Sequence, residues 1–330
     1  MATRWGCVGP GNISQDFFLA IQDNLPSSDH EFVAVASTNQ ERAQKFADKF
    51  KFQKAYGSYD ELAKDPDVEI VYIATLNTSH AELSIKMLEA GKHVLCEKPM
   101  GMNHKQVKQV LQVAKDKQKF FIEGVWSRFF PSYNKIRQEL TNTTVGDVKL
   151  VNVNFCVPIS EIERVKNAKL GGGGCLDIGC YAIQFACFVY GEMPESVTAV
   201  GTMLGDVDES ACITLKYKNG SMASLVYHIS TISVITATII GTKGKIEVHE
   251  PFYCPTKVTT PTGTFEFPLK ENKYCYPNSA GLHYEVIGIR ECLLKGLLES
   301  PKMSHYDSDM IHQIMTEVRR QIGVKYPDFD

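Results

Sequence analysis

Asp177 and Tyr181 stand four positions apart, just after the run Gly171-Gly172-Gly173-Gly174 and where a helical pattern begins. On a helix that spacing puts a carboxylate and a phenol on one face, with the carboxylate in the first turn, where the helix dipole favours it. A phenol so placed can take the proton of a substrate hydroxyl and return it in the reverse direction. Free tyrosine ionises near pH about 10, so a nearby cation is needed to favour the phenolate. Val94-Leu95-Cys96-Glu97-Lys98-Pro99 separately places a candidate cation, Lys98, at the end of a strand, with the proline fixing the turn after it. On spacing alone, Asp177 could equally be a helix cap, Tyr181 a packed aromatic and Glu97-Lys98-Pro99 a surface turn.

The glycines near the N-terminus point to a second chemistry. Trp5-Gly6-Cys7-Val8-Gly9-Pro10-Gly11-Asn12-Ile13-Ser14 places Gly9 and Gly11 between the first strand and the first helix. Such a turn lets backbone N–H groups approach a pyrophosphate and aims a helix N-terminus at its charge. Ser14 occupies the third position of the fingerprint, where Gly or Ala is usual, and Gly-x-Gly by itself can be a tight turn only. The strand-turn-helix context favours the phosphate reading. An acidic residue ending the second strand would suit the ribose 2′-hydroxyl of NAD. This chain has Ala36-Ser37-Thr38-Asn39 there, with Arg42 one turn into the next helix, so NADP is the expected cofactor.

These groups need parallel strands to carry them first and hairpins later. Over residues 1–125 the candidate strands Thr3–Val8, Glu31–Ser37, Ile70–Thr75, His93–Cys96 and Phe120–Gly124 alternate with amphipathic stretches such as Gln40–Phe50, Thr78–Ala90 and Lys105–Lys117. Ser58 opens a capping box and Gly91 marks a helix stop. Over residues 126–330 the pattern changes to period-two strands, Lys149–Val157, Val197–Met203, Ala211–Tyr217, Ser221–Ile229, Val234–Gly241 and Lys245–His249. Helices are read at Ser132–Leu140, Leu176–Tyr190, Leu282–Leu297 and Ser308–Ile322. The expectation is an α/β Rossmann domain, 1–125, followed by an α+β substrate-binding and dimerisation domain, 126–330, with a large, mostly antiparallel open sheet.

The composition excludes several classes. The 330 residues are 44% hydrophobic and 22% charged with a net charge of −3, which excludes a disordered or collagen-like chain. No Lys/Arg block offers a basic face, so no nucleic acid or membrane partner is expected, and a small molecule is the default. The N-terminus enters a strand without an apolar signal core, and no run of about 18 apolar residues is read, which leads to a cytoplasmic location. The ten cysteines contain no Cys-x-x-Cys and read as free packing thiols. No His and carboxylate spacing suggests a metal site.

Gly6-x-x-Gly9-x-Gly11, Asn77-x-x-His80, Glu97-Lys98-Pro99 and Gly-Gly-x-x-x-Asp177-x-Gly179 occur in order, and the whole chain resembles the family of glucose-fructose oxidoreductase and inositol dehydrogenase. Many members have His where this chain has Tyr181. That tyrosine, with Arg4-Trp5-Gly6, Ala55–Tyr59, Trp126–Pro131 and Arg319–Val324, resembles the dimeric dihydrodiol dehydrogenase branch. The resemblance implies an NADP-linked enzyme that oxidises trans-dihydrodiols of aromatic hydrocarbons to catechols, and D-xylose and other aldoses at C1 to lactones. It implies Tyr181 as general base, Lys98 as its cation and Asp177 as the group orienting substrate or Lys98. On the cofactor side it implies Gly9, Gly11, Asn12, Ile13, Ser37, Thr38 and Arg42. Thr75, Asn77, His80, Glu97 and Lys98 join them near the nicotinamide. Tyr72 could serve there or pack in the core, and a lone His80 could simply be solvated. Trp126 and Phe155 could wall a substrate pocket or pack in the core.

Two other readings remain at this stage: another sugar or polyol dehydrogenase of the family, and a catalytically silent NADP-binding sensor on the same fold. The joint presence of Lys98, Asp177 and Tyr181 favours an enzyme. Strand residues Ser233–Ile240 are apolar on both sides, which suggests a face-to-face homodimer unless the C-terminal helices cover them.

Overall fold

The computed structural model describes residues 2–329, in two compact units. The first comprises the chain to Gly101, Lys105–Phe129 and Leu269–His305; the second comprises Met102–His104, Phe130–Pro268 and the chain from Tyr306.

In the first unit the chain runs β1 (Thr3–Val8), α1 (Asn12–Asn24), β2 (His30–Ala36), α2 (Gln40–Phe50), β3 (Lys54–Tyr56), α3 (Tyr59–Lys64), β4 (Ile70–Ile73), α4 (His80–Glu89), β5 (His93–Glu97), α5 (His104–Asp116) and β6 (Phe121–Gly124). All six strands pair in parallel in the order β3-β2-β1-β4-β5-β6. That order reverses between β1 and β4, where a doubly wound sheet opens a crevice for ligands. Local chemistry sets the helix ends. Asn39 caps α2 by accepting from Arg42 N at 2.9 Å, and Ser58 caps α3 while donating to Glu61 Oε2 at 2.9 Å. Gly91 stops α4 with φ +81°. Both sheet faces are covered: Val8, Ile73, Val94 and Phe121 pack with Leu83, Met87, Val107 and Val110, while Phe17 stacks on Tyr72 at 4.0 Å.

The expected single boundary at 125/126 differs from this division, because the chain returns to the first unit at Leu269. Buried Asp16 in α1 accepts the N–H groups of Cys275 and Tyr276 at 2.7 and 2.9 Å, and Asp23 accepts from Tyr274 Oη at 3.0 Å. The helix Leu282–Leu294 then packs on α1 and on the short turn Trp126–Phe129. A Cβ at Gly288 would stand 2.6 Å from the Phe129 ring, so only glycine lets the two elements meet.

The second unit contains α6 (Pro131–Thr141), β7 (Val148–Cys156), α7 (Glu163–Lys166), α8 (Cys180–Tyr190), β8 (Ser196–Leu204), β9 (Val207–Lys216), β10 (Met222–His228), β11 (Ala237–Gly241), β12 (Lys245–Val248), β13 (Lys257–Thr260) and β14 (Gly263–Glu266). Its eight strands follow the order β14-β13-β12-β11-β7-β10-β9-β8, antiparallel except for β7 with β10. Across β8, β9 and β10, the paired Ala199, Ile213 and Leu225 are buried, while Val200 and Cys212 on the opposite face are exposed.

One expectation is corrected here. The segment Ala168–Tyr190 is long and apolar enough to cross a membrane by length and composition, although no such run was read in the sequence. Of its apolar stretch 83% is buried, and its last part, Cys180–Tyr190, is α8, so it packs in the core of this unit. The ten cysteines are free, eight of them buried, as packing thiols are.

Candidate active site

The glycine turn after β1 is shaped by its neighbours. Gly9 has φ +91°, and a Cβ there would lie 2.9 Å from the Ala74 carbonyl carbon and oxygen and from Thr75 Cγ2. The Gly9 carbonyl accepts from Gly11 N at 2.9 Å and from the buried Ser14 hydroxyl at 2.6 Å. Ser14, unusual at its fingerprint position, thus closes the turn with its own hydrogen bond. Gly11 is the N-cap of α1, and neither a side-chain cap nor an acidic residue occupies that helix start. The first-turn amides, with exposed Asn12 and half-buried Ile13, therefore face outward as donors for an anion.

The end of β2 is as expected from the sequence. Ser37 is buried and accepts from Asn39 N at 3.3 Å, Thr38 is exposed, and no carboxylate stands there. Exposed Arg42 donates from Nε and Nη2 to the Pro10 carbonyl at 3.3 and 3.1 Å, tying α2 to the glycine turn. A glycine turn, an uncapped helix and this arginine fit a dinucleotide phosphate.

Beyond β4 and β5 two expected cofactor contacts become positioning residues. Tyr72 is fully buried, so its ring has no surface to offer a ligand; its hydroxyl donates to Glu97 Oε1 at 2.6 Å. Burial, and then the Glu97 charge, push the Tyr72 hydroxyl well above its usual range, so it stays the donor. Burial raises Glu97, against the pull of Tyr72 and Lys98. His80 is also buried, with Nδ1 2.8 Å from the Pro99 carbonyl and Nε2 3.1 Å from the Thr75 carbonyl. Burial lowers its pKa, and a neutral ring donates to one of these carbonyls at a time. His80 thereby holds together the turns that carry Thr75, Asn77 and Lys98, its own ring folded into the start of α4. Asn77 and Lys98 are half-buried, and Trp126 is buried at the end of the same unit. Tyr72→Phe should cost about 1–3 kcal/mol by stranding the Glu97 oxygen. A lower urea midpoint with unchanged slope would register it, and an unchanged midpoint would refute the role given to this bond.

In the second unit, a wide π turn at Cys175–Gly179 precedes α8. It alters the ideal α-helical spacing expected between Asp177 and Tyr181. Asp177 is also not a bare cap: Arg164 Nη1 reaches its Oδ1 at 2.8 Å. Asp177, expected to orient the substrate or Lys98, is thus a carboxylate already held by an arginine, a partner the sequence reading missed.

Tyr181, 8% exposed, lies 5.1 Å from the Tyr253 ring and 6.0 Å from Phe155 between centroids. Phe155 and Tyr253 themselves stack at 4.9 Å and 9°. Tyr253 was missed because it sits in an irregular segment after β12, where only the sequence Phe252-Tyr253 hints at an aromatic cluster. Burial raises the Tyr253 hydroxyl pKa, so it remains a neutral wall.

The matches to known proteins agree with both units. Residues 3–125 match the oxidoreductase family model with an NAD-binding Rossmann fold, and residues 133–247 match the GFO/IDH/MocA C-terminal domain. A trans-1,2-dihydrobenzene-1,2-diol dehydrogenase of Xenopus tropicalis is 42% identical, covering 99% of this chain and 100% of its own. Its namesake in Sus scrofa is 40% identical, with 99% of each chain covered. Among solved structures, a 3-ketoreductase of Actinomadura kijaniata in complex with NADP and TDP-benzene has a TM-score of 0.84 at 23% identity, with 98% of each chain covered. A levoglucosan dehydrogenase in complex with NADH and levoglucosan has a TM-score of 0.86 at 21% identity, again with 98% of each covered. At those identities the two structures speak for the fold. This chain belongs to the GFO/IDH/MocA oxidoreductase family, with its NAD-binding Rossmann domain and its characteristic C-terminal domain.

Proposed function

We propose that this protein is an NADP-dependent dehydrogenase that oxidises trans-dihydrodiols of aromatic hydrocarbons to catechols, and D-xylose and other aldoses at C1 to lactones. It works as a cytoplasmic homodimer. What carries the reading is the aromatic wall around Tyr181: the stacked Phe155 and Tyr253 rings suit a flat unsaturated ring and equally the apolar face of a sugar. Relatives named for dihydrodiol oxidation, about 40% identical over the full chain, support the same substrate class.

In this reading the Tyr181 phenolate takes the hydroxyl proton while two electrons leave the same carbon as hydride. Hydride acceptance at nicotinamide C4 is the chemistry the dinucleotide supplies when bound. A dihydrodiol becomes a hydroxyketone that tautomerises to a catechol, and an aldose becomes a lactone. Lys98 is assigned the cation that favours the phenolate, and Asp177, braced by Arg164, is assigned a substrate hydroxyl. The exposed residues Val200, Met203 and Met222 support a second copy as the partner of the open sheet.

The test is the near-ultraviolet absorbance of reduced nicotinamide, with NADP or NAD against D-xylose and a benzene trans-dihydrodiol. Reduction of NADP by both substrates is expected; no reduction despite measurable NADPH binding would favour the silent sensor. Arg42 is the residue assigned to the 2′-phosphate, and a charge-assisted pair of that kind is worth about tenfold or more in affinity. Arg42→Ala should therefore raise KM for NADP by about that factor and leave KM for NAD within about threefold. Equal effects on the two cofactors would show that Arg42 only braces Pro10.

A further inference from the structure

A buried carboxylate in the second unit takes no part in the reaction described above. Asp208, in β9, is fully buried, and its Oδ2 accepts from Tyr227 Oη and from Cys175 N, each at 2.6 Å. Burial raises its pKa, and the two donors and the nearby Arg319 charge act against that rise. Arg319, buried on the helix His305–Ile322, lies 5.0 Å from the Tyr326 ring centre and donates from Nη2 to the Met102 carbonyl at 2.5 Å. The Tyr326 hydroxyl in turn donates to the Gly172 carbonyl. Side chains from two strands and the C-terminal segment therefore converge on the four-glycine run.

Gly173 and Gly174 of that run, and Gly179 beyond it, are explained by the same side chains. At Gly173, with φ +120°, a Cβ would lie 2.5 Å from Asp208 Oδ1 and 2.8 Å from Tyr326 Oη. At Gly174 and Gly179 it would lie 2.7 and 2.8 Å from the Tyr227 ring. One tyrosine ring thus fills the room left by two glycines, one just before the π turn and one at its last residue. The carboxylate binds the first amide of that turn, at the helix end where negative charge is favoured. A π turn is rare and needs its surroundings to hold it.

We infer that Asp208 and Tyr227 are positioning residues for proton transfer: together they clamp the glycine run and the π turn so that Asp177 and Tyr181 keep their relative placement. The inference rests on Tyr181 being the general base. Tyr227→Phe keeps the ring and removes the hydroxyl, with its bond to Asp208 Oδ2 and its contact with the Cys175 thiol.

The expected result is a kcat lowered about tenfold with KM for NADP within about twofold, since small misplacements of a reacting group cost that much or more. Amide exchange across residues 172–181 should also quicken. Asp208→Asn, which can still accept from Cys175 N, should retain more activity than Asp208→Ala. A kcat within twofold of wild type in Tyr227→Phe would overturn the inference, whatever the exchange shows, and this variant decides alone if Asp208→Ala fails to fold. If the wild-type protein oxidises none of the substrates, the functional reading fails separately. Exchange then decides the clamp: quicker exchange in Tyr227→Phe supports it, and unchanged exchange overturns it.

Discussion

Tyr181→Phe is expected to lower kcat by about 10²–10⁴-fold while KM for the dinucleotide stays within about twofold. The substitution removes one oxygen and keeps the ring that faces Tyr253 at 5.1 Å and Phe155 at 6.0 Å, so the wall around the substrate survives. What is lost is the group proposed to accept the hydroxyl proton, without which the hydride step would stall. Cofactor binding draws on the turn at Gly9 and Gly11 in the other unit and should be untouched, as fluorescence titration with NADPH would show. Near-normal turnover with intact cofactor binding would remove Tyr181 from the mechanism and leave its hydroxyl a feature of packing. Loss of both activities at once would point to a damaged fold, and a melting curve would separate that case.

Much of this site is legible in the residues because it depends on local chemistry. The glycine turn, the Ser58 capping box and the Gly91 stop are short-range patterns, and each stands where the chain was read to have it. What is not legible depends on distant partners. Tyr72 and His80 carry polar tips that resemble ligand contacts, yet the fold buries both and spends those tips on Glu97 and on two backbone carbonyls. Arg164 meets Asp177 from a separate short helix, and Tyr253 reaches Phe155 from an irregular segment, so no sequence spacing announces either pair. The strands β3, β13 and β14, of three or four residues, escaped the reading: Lys54-Ala55-Tyr56, Lys257-Val258-Thr259-Thr260 and Gly263-Thr264-Phe265-Glu266 carry at most two large apolar residues each. The return of residues 269–305 to the first unit was equally hidden, since it rests on Asp16 accepting two backbone amides far along the chain.

Gly9→Ala should weaken NADP binding about 100-fold and also lower thermal stability, whereas Gly11→Ala should weaken binding with stability nearly unchanged. The two glycines differ in what surrounds them. At Gly9 the backbone has φ +91°, and a methyl group would meet the Ala74 carbonyl and Thr75 Cγ2 at 2.9 Å. An L residue there carries a strain of roughly 1–2 kcal/mol, and because part of the clash is with backbone, the turn itself must move. That turn aims the first amides of α1, so its displacement should cost the phosphate its donors. At Gly11 φ is −103°, an ordinary value, and a Cβ would meet nothing closer than the Ala74 oxygen at 4.0 Å. The protein itself tolerates a methyl group there, so any loss of affinity in Gly11→Ala reports the close approach of a phosphate to the helix start. Unweakened binding in Gly11→Ala would mean that the phosphate lies elsewhere and that the turn is glycine-rich only because Gly9 must be.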